Sequence, residues 1–148
     1  MSVQVRPLVD RDFFTWLGLF EGYSDFYKST LTDEKALRVW SWITDRNHEL
    51  EGSVAVDDSG DLLGFVHYRQ VPRTLDATRG LFLDDLFVVP GSRGNGVGRA
   101  LMDFATQYAR DNGLTQVQWV TAADNKTAQR LYAGVGTKTD WVTYEIEL

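Results

Sequence analysis

The sequence predicts one α/β domain over residues 1–148, built on a mixed and mostly antiparallel sheet with helices on both faces. Alternating apolar residues flank the turn-forming segment 57–60, which predicts an antiparallel hairpin. Further along, a strand, an amphipathic helix and a second strand span 81–120. A crossover of this kind is right-handed and makes its two strands parallel, so the sheet is expected to contain one parallel βαβ pair.

The first part of the chain predicts a short strand and two helices. Val3 and Val5 belong to the strand, and Asp10 or Asp12 can cap the helix that follows, since a carboxylate accepts hydrogen bonds from free N–H groups. We expect this first helix to be interrupted at Gly22. The second helix is predicted to begin at Thr32. The apolar stripe of the first helix comprises Phe13, Phe14, Trp16, Leu17 and Phe20, and that of the second comprises Ala36, Leu37, Trp40 and Ile43.

The remaining elements follow from periodicity and turn residues. Strands are predicted over 53–56, 62–71 and 81–89, with a loop over 72–80. An amphipathic helix over 97–112, a strand over 117–120 and a short helix from Asp124 or Asn125 through Tyr132 come next. Alternation of apolar and polar residues predicts a last strand over 142–146.

Composition excludes several classes of function. The chain has no cysteine and two histidines, His48 and His67, which excludes cysteine nucleophiles and metal sites rich in Cys or His, so we expect no metal. A net charge of −6 argues against nucleic acid as a partner. No apolar run approaches the ~20 residues of a membrane helix, and no signal peptide is visible, so we expect a cytoplasmic protein without a membrane partner.

The most informative stretch joins a predicted strand to a predicted helix. Gly94, Gly96 and Gly98 occupy alternate positions there, flanked by Arg93 and Arg99. Glycine permits tight turns and close backbone approach, and a helix start presents unpaired N–H groups. The stretch therefore predicts a phosphate site. It is not a Walker motif, which needs a following Gly-Lys-Ser/Thr, nor the dinucleotide fingerprint, whose last glycine comes one residue later.

At this loop the chain resembles the GNAT superfamily of acetyl-CoA-dependent N-acetyltransferases. Arg93, Gly96 and Gly98 match the family pattern Gln/Arg-x-x-Gly-x-Gly/Ala. A second family signature, Asn-x-x-Ala-x-x-x-Tyr, is met by Asn125, Ala128 and Tyr132. The predicted element order is similar to the family fold over essentially the whole chain.

Two further segments resemble particular branches of the family. Residues 83–88 look like the diamine (spermidine/spermine) acetyltransferases, and residues 138–140 with Tyr144 look like the histone and polyamine branch.

The resemblance implies direct transfer of an acetyl group from acetyl-CoA to an amine, without a covalent enzyme intermediate. The absence of cysteine is compatible with that mechanism. The resemblance also implies the residues that bind acetyl-CoA as co-substrate. The acetyl carbonyl and pantetheine arm are expected at Leu86, Phe87, Val88 and Asn125, and the pyrophosphate at Arg93, Gly94, Asn95, Gly96, Val97, Gly98 and Arg99.

The resemblance also suggests the acid and the base. Tyr132 falls where the family often has a general acid, and a phenol with a pKa of about 10 can protonate a thiolate whose thiol has a pKa of about 8.5. Helix packing is the alternative role of Tyr132. The base stays open among Asp84, Asp85, His67 and a water. Asp84 is slightly ahead, because it matches the position of a strand carboxylate proposed as base in the diamine acetyltransferases, and because alternation along the strand is expected to turn Asp85 to the opposite face.

The acceptor is expected near the first helix, where Glu21, Tyr23, Asp25 and Tyr27 cluster in sequence. Carboxylates attract a cationic amine and aromatic faces can hold it. We therefore expect a small amine or polyamine. The alternatives are a lysine or N-terminal amine of a peptide, an amino acid, a non-catalytic acyl-CoA-binding domain, or an unrelated enzyme of nucleotide phosphates. The resemblance further implies a homodimer, in which the last strand could pair with a neighbouring subunit.

Overall fold

The structure, a computed structural model, describes residues 2–148. Its first half contains β1 (Gln4–Pro7), α1 (Phe13–Phe26) and α2 (Asp33–Thr44). Thr32 caps α2 as predicted, since its hydroxyl accepts the N–H of Lys35 at 3.2 Å. The expected interruption of α1 at Gly22 is wrong. A Cβ there would lie 3.2 Å from Cζ of Phe87, so this glycine lets the continuous helix approach the sheet closely.

Asp12 stands at the N-cap of α1 but does not cap it. Its carboxylate accepts hydrogen bonds from the Arg6 guanidinium at 2.7 and 3.0 Å and from the N–H of Val9 at 2.9 Å. The side chain is therefore used to tie β1 to the turn before α1.

The second half contains β2 (Glu51–Val56), β3 (Leu62–Arg73), β4 (Thr78–Val88), α3 (Val97–Asp111), β5 (Val117–Trp119) and α4 (Lys126–Ala133). The predicted loop over 72–80 is wrong in extent. Pro72 pairs with Arg79, and only residues 74–77 connect the two long strands. Long-range pairing with the neighbouring strand overrides the local turn signal of Pro72.

The five strands follow the order β1-β2-β3-β4-β5, and all neighbours are antiparallel except the parallel pair of β4 and β5. One face of the sheet packs on α1 through Leu19 and Phe65, and the other packs on α3 through Val66 and Leu101. The predicted mixed sheet with helices on both faces is thus confirmed. Among residues 2–148, no helix combines the length and the apolar composition needed to cross a membrane.

The last strand predicted from alternation does not form. Residues 137–148 belong to no helix or strand, and the apolar side chains of Val142, Tyr144 and Ile146 are 76, 90 and 86% exposed. A strand needs a neighbour to satisfy its backbone groups, and within the described chain this segment has none.

Candidate active site

A slot opens where β4 and β5 separate. The two strands pair only between residues 81–83 and 117–119, whereas β4 continues to Val88. The N–H of Val89 donates to the carbonyl of Leu63 in β3 at 2.9 Å. Because the hydrogen-bonding direction alternates along a strand, the backbone groups of Leu86 and Val88 point away from β3 and into the slot. Of the three residues predicted here, Phe87 instead directs its backbone towards β3 and buries its ring.

The glycine loop lies at the end of this slot and leads into α3. Gly94 and Gly96 have φ values of +84° and +81°, a backbone conformation that favours glycine. Gly96 is the N-cap of α3 and has no side chain to cap the first N–H groups, which leaves them for a ligand. A Cβ at either glycine would meet no atom within 4 Å, so the loop borders open space.

Gly98 has a different role from the other two glycines. A Cβ on it would lie 2.9 Å from Cδ2 of Leu131, so it permits close packing of α3 against α4. Val97 likewise buries its side chain in the core, so only its backbone can face the loop, whereas Asn95 is exposed.

The two arginines of the loop already have protein partners. Arg93 donates from Nε to the carbonyl of Val88 at 3.1 Å, and its guanidinium lies 5.6 Å from the ring centre of Phe26 and 5.7 Å from that of Phe87. Arg99 donates from Nε to Asp103 at 3.2 Å. Arg93 therefore braces the loop against Phe26 and Phe87.

The opposite wall of the slot is formed by the segment after β5 and by α4. Within residues 2–148 the buried hydroxyl of Thr121 has no hydrogen-bond partner. Asn125 caps α4, because its Oδ1 accepts the N–H of Ala128 at 3.3 Å. Tyr132 is half-buried and packs edge-on against Trp119 at 5.3 Å. Burial raises the pKa of Tyr132 above its ordinary value, so the phenol holds its proton at neutral pH.

A bulge in β4 sets the direction of the two adjacent carboxylates. His67 pairs with Asp85 and Tyr68 with Leu83, so Asp84 is an extra residue in its strand. Alternation is interrupted at a bulge, and Asp84 and Asp85 line the same cleft. The expectation that Asp85 points to the opposite face is therefore wrong.

The two carboxylates have different partners and different pKa shifts. Arg69 donates from Nε to both oxygens of Asp84 at 3.0 and 3.1 Å, but burial raises the pKa of Asp84 above its usual range in spite of that contact. Burial also acts to raise the pKa of Asp85. A hydrogen bond from His67 and the nearby hydroxyl of Tyr23 outweigh it, and the pKa of Asp85 stays below its usual range.

His67 is fully buried, and its partners determine its tautomer. Trp16 donates from its indole Nε1 to Nε2 of His67 at 3.0 Å. An indole N–H only donates, so Nε2 accepts and the proton must sit on Nδ1, which lies 2.8 Å from Oδ2 of Asp85. His67 thus donates from Nδ1 to Asp85.

The cleft beside these carboxylates has a volume of about 340 Å³ and opens to solvent. His48 stacks on Trp42 at its rim, with ring centres 5.2 Å apart and planes 6° from parallel. The residues that line the cleft are Phe20, Val39, Trp42, His48, Glu49, Leu50, Arg69, Asp84 and Asp85. Three carboxylates and one arginine thus surround a partly aromatic cavity, which suits a cationic ligand.

Sequence reasoning missed Trp42, His48, Glu49 and Arg69 as parts of this cleft. The first three come from the end of α2 and the following loop, and no spacing in the sequence relates them to β4. Arg69 had a usable signal, since it lies two residues beyond His67 and hence on the same strand face.

The predicted acceptor cluster on α1 is divided between two sides of the helix. Tyr23 faces the sheet, with its ring 5.7 Å from that of Phe65, and the Tyr27 ring lies 5.0 Å from Tyr23. Glu21 and Asp25 are exposed on the other side, because the 3.6-residue period places them away from the buried stripe. The structure therefore brings the tyrosines to the site and leaves these two carboxylates outside it.

Known proteins match this chain in sequence over most of its length. The model of the acetyltransferase (GNAT) family matches residues 16–136. The chain is 33% identical to D-amino-acid N-acetyltransferase HPA3 of Saccharomyces cerevisiae, over 97% of its own length and 89% of the relative's. It is 30% identical to the uncharacterized N-acetyltransferase YhfO of Bacillus subtilis, over 82% of the chain and 80% of that protein.

A solved structure has the same fold. This is the structure of AAC(6')-Iy, in complex with the bisubstrate analogue CoA-S-monomethyl-acetylneamine. It superposes with a TM-score of 0.86 over 100% of this chain and 99% of the other, at 19% identity. At that identity the likeness concerns the fold alone.

Proposed function

Since the chain belongs to the acetyltransferase (GNAT) family and is an acetyl-CoA-dependent N-acetyltransferase, we propose that its acceptor is a small molecule with a primary amine. The observation that carries this proposal is the pair of adjacent carboxylates, Asp84 and Asp85, at the bulge of β4. They lie on the one strand that borders both the slot and the acceptor cleft. An ammonium group bound by them would therefore lie next to the expected position of the acetyl group.

The slot has unsatisfied groups that suit coenzyme A. The uncapped start of α3 presents N–H groups and the positive end of the helix dipole, which favour a pyrophosphate. The backbone of Leu86, the N–H of Val88 and the unpaired hydroxyl of Thr121 can bond the amides of a pantetheine arm. Bound acetyl-CoA supplies the acetyl thioester, and the residues of the chain supply orientation and proton transfer.

The two carboxylates have different roles towards the amine, since one binds its ammonium form and the other accepts its proton. A primary amine arrives protonated, with a pKa of about 10.4, and must lose a proton before it can react. Asp85, whose pKa is held low, stays ionised and holds the ammonium group. Asp84, whose pKa is raised, is the better base and accepts the proton from the amine nitrogen.

Two groups on the slot side complete the proposed chemistry. A backbone N–H of Leu86 or Val88 donates to the carbonyl oxygen on which negative charge develops. Tyr132 holds its phenolic proton at neutral pH and can donate it to the departing sulfur. Tyr132 comes from α4, on the wall opposite β4, which suits a group that acts on the leaving side.

Arg69 favours a second acceptor class, an amino acid. Its side chain is 39% exposed in the cleft beside Asp84. A guanidinium binds a carboxylate through paired N–H groups, so an amino acid could place its carboxylate on Arg69 and its amine on Asp85. The relative from Saccharomyces cerevisiae is named for acetylation of D-amino acids, which supports this class. A polyamine acceptor, and membership of the polyamine branch, stay predictions.

The proposal is tested by incubating the protein with acetyl-CoA and each of a panel of amines, and measuring the thiol that is released. Lysine and cadaverine form a matched pair, because they differ only in the α-carboxylate. Consumption of either supports a small primary amine. Preference for lysine that disappears in Arg69→Gln identifies the carboxylate as a recognised group. Acetylation of a lysine-rich peptide alone, with no small amine consumed, would contradict the proposal.

A further inference from the structure

The guanidinium of Arg69 is fixed in the acceptor cleft along one side, while its end is free. Its Nε donates to both oxygens of Asp84 at 3.0 and 3.1 Å, and its Cζ lies 5.2 Å from the ring centre of Phe82. Among residues 2–148, the two terminal NH2 groups of Arg69 have no hydrogen-bond partner. Paired N–H groups on a fixed guanidinium are the arrangement that binds a carboxylate through two parallel hydrogen bonds.

This cation lies close to the ionised carboxylate of Asp85. Asp84, which holds Arg69, is the preceding residue of β4, and consecutive Cα atoms are about 3.8 Å apart. The bulge turns both carboxylates into the same cleft. A ligand that used both charges would therefore need a carboxylate and an ammonium group close together. An α-amino acid has this arrangement, because one carbon separates its two charged groups.

The wall of the cleft beside these charges is largely aromatic. Phe20 lies on the inner side, with its ring 5.3 Å from that of the buried His67. Trp42 lies at the rim, where it stacks on His48. His48 is held in turn, since its Nδ1 accepts the N–H of Leu50 at 3.0 Å. The wall thus offers flat rings whose positions are set by contacts within the fold.

The side chain of a bound amino acid would lie against this aromatic wall, because the charged groups of the cleft are used by its two ends. A phenyl ring buries far more apolar area there than a methyl group, and aromatic rings pack well edge-on or offset. Glu49 is the third carboxylate of the cleft, but its side chain is 65% exposed. Solvent screens such a charge, so it adds little attraction for a basic side chain. The wall therefore favours an aromatic side chain.

We propose that the acceptor is an α-amino acid with an aromatic side chain, and that Trp42 selects this side chain. The assignment rests on the proposed function, within which Arg69 binds the α-carboxylate and Asp85 binds the ammonium group. Transfer forms the bond between the α-nitrogen and the acetyl carbon and breaks the bond between that carbon and the sulfur. Of the two protons that the ammonium group loses, one ends on the sulfur of the released thiol and the other reaches solvent through Asp84.

The full chain and acetyl-CoA are assayed with three acceptors, phenylalanine, alanine and 2-phenylethylamine. Alanine lacks only the phenyl ring of phenylalanine, and 2-phenylethylamine lacks only its carboxylate. Both enantiomers of each amino acid are tested, since contacts at three points accept one hand, and the better-accepted enantiomer is compared. We expect kcat/KM for phenylalanine to exceed both other values by roughly tenfold or more, the effect of one buried side chain or of one paired charge contact.

Variants of α2 then test the role of Trp42. In Trp42→Ala, the ratio of kcat/KM for phenylalanine to kcat/KM for alanine should fall towards one. Trp42→Phe keeps a flat ring and should restore most of this ratio. A general loss of folded protein lowers both values equally and leaves the ratio unchanged. Leu37→Ala is the matched control with the wild-type ratio, because Leu37 is 55% exposed on the same helix and lies outside the cleft.

The outcomes distinguish this assignment from the proposed function. Equal kcat/KM for phenylalanine and alanine, or for phenylalanine and 2-phenylethylamine, would overturn the aromatic amino acid while a small primary amine stays the acceptor class. Acetylation of cadaverine but of none of the three acceptors would do the same. A ratio unchanged in Trp42→Ala would overturn the role of Trp42. If no small amine is consumed, the proposed function fails and this assignment fails with it.

Discussion

The imidazole of His67 donates from Nδ1 to Oδ2 of Asp85 at 2.8 Å, and Trp16 fixes this direction from the other side of the ring. A proton on Nε2 would face the indole N–H, so the proton between His67 and Asp85 sits on Nδ1. Both ring nitrogens are occupied by these two hydrogen bonds. His67 thus positions the carboxylate of Asp85.

Loss of the indole donor of Trp16 should weaken the hydrogen bond from His67 to Asp85. In Trp16→Phe, Nε2 of His67 loses its hydrogen-bond donor, so the proton is no longer confined to Nδ1 and the hydrogen bond to Asp85 can be lost. We expect the KM for the amine to rise by roughly five- to tenfold, the effect of one hydrogen bond, with a smaller change in kcat. Nitrogen chemical shifts of His67 measure how the proton is distributed between the two ring nitrogens.

Trp40→Phe is the matched control for that variant. The Trp40 ring lies 5.0 Å from that of Trp16 in the same aromatic cluster, so a similar volume is lost without touching His67. Identical KM values and identical nitrogen chemical shifts of His67 in the two variants would mean that packing alone, and not the hydrogen bond, matters.

Substitutions of the two adjacent carboxylates, Asp84 and Asp85, should affect different steady-state constants. Asp84→Asn removes the proposed base, so we expect kcat to fall by about 10²- to 10⁴-fold with little change in the KM for the amine. Asp85→Asn removes the charge that holds the ammonium group, so we expect mainly a higher KM. The reverse pattern would exchange the two roles, and equal effects would argue against a division between them.

The raised pKa of Asp84 predicts how kcat should depend on pH. A base must be ionised, so kcat should fall as the pH drops through the pKa of Asp84. Because burial raises that pKa, the acid limb should lie above the ordinary aspartate value of about 3.9. The limb should be absent from the residual activity of Asp84→Asn. An acid limb unchanged in that variant would assign it to another group.

Turn residues and periodicity predicted the sheet, its parallel pair and the glycine loop, because those features depend on local chemistry. Gly94 and Gly96 are at the loop positions that their spacing indicates. The direction of Asp85 could not be predicted in the same way. It depends on a bulge whose presence is decided by the register of two strands, and a single extra residue reverses the alternation.

Local sequence patterns could not predict the cleft beside Asp84 or the conformation of residues 137–148, for a related reason. Glu49 reaches the cleft from a loop far along the chain from Asp84, through contacts that no periodicity encodes. The alternation at 142–146 predicts a strand, but the segment forms none. Whether a strand forms depends on a neighbour, and the described chain does not supply one.

The glycine loop should be sensitive to a methyl group at Gly96. The φ of +81° costs an L-residue roughly 1–2 kcal/mol, so Gly96→Ala should lower stability and shift the start of α3. The N–H groups there would then be misplaced for the pyrophosphate. We expect a clear loss of the thermal shift that coenzyme A produces. Gly91→Ala is the control, since it lies in the same loop with open space around it and no positive φ.

Replacement of Tyr132 should lower turnover more than it weakens the binding of acetyl-CoA. Tyr132→Phe keeps the ring against Trp119 and removes only the hydroxyl, so packing is preserved. We expect kcat to fall by about 10²-fold or more while the KM for acetyl-CoA changes little. Tyr144→Phe, which removes a hydroxyl outside the slot, should behave as the wild type. Unchanged turnover in Tyr132→Phe would leave this tyrosine with a packing role alone.

The pair formed by Arg6 and Asp12 predicts an acid-sensitive contribution to stability. The side chain of Asp12 is only 4% exposed, and hydrogen bonds from Arg6 lower its pKa by more than burial raises it. A carboxyl with a lowered pKa stabilises the fold fully above its unfolded value of about 3.9, and this stabilisation is lost as the pH falls through the folded-state pKa.

Replacement of Asp12 by asparagine should therefore cost most at neutral pH. Asp12→Asn leaves the Arg6 guanidinium without its carboxylate, which should lower the free energy of unfolding by about 2 kcal/mol near pH 7. Urea unfolding at several pH values measures the difference, which should shrink as the wild-type carboxyl is protonated. Asp10→Asn, at an exposed position in the same turn, is the control and should differ little from the wild type. A loss for Asp12→Asn that is independent of pH would assign the contribution to packing rather than to the ionised pair.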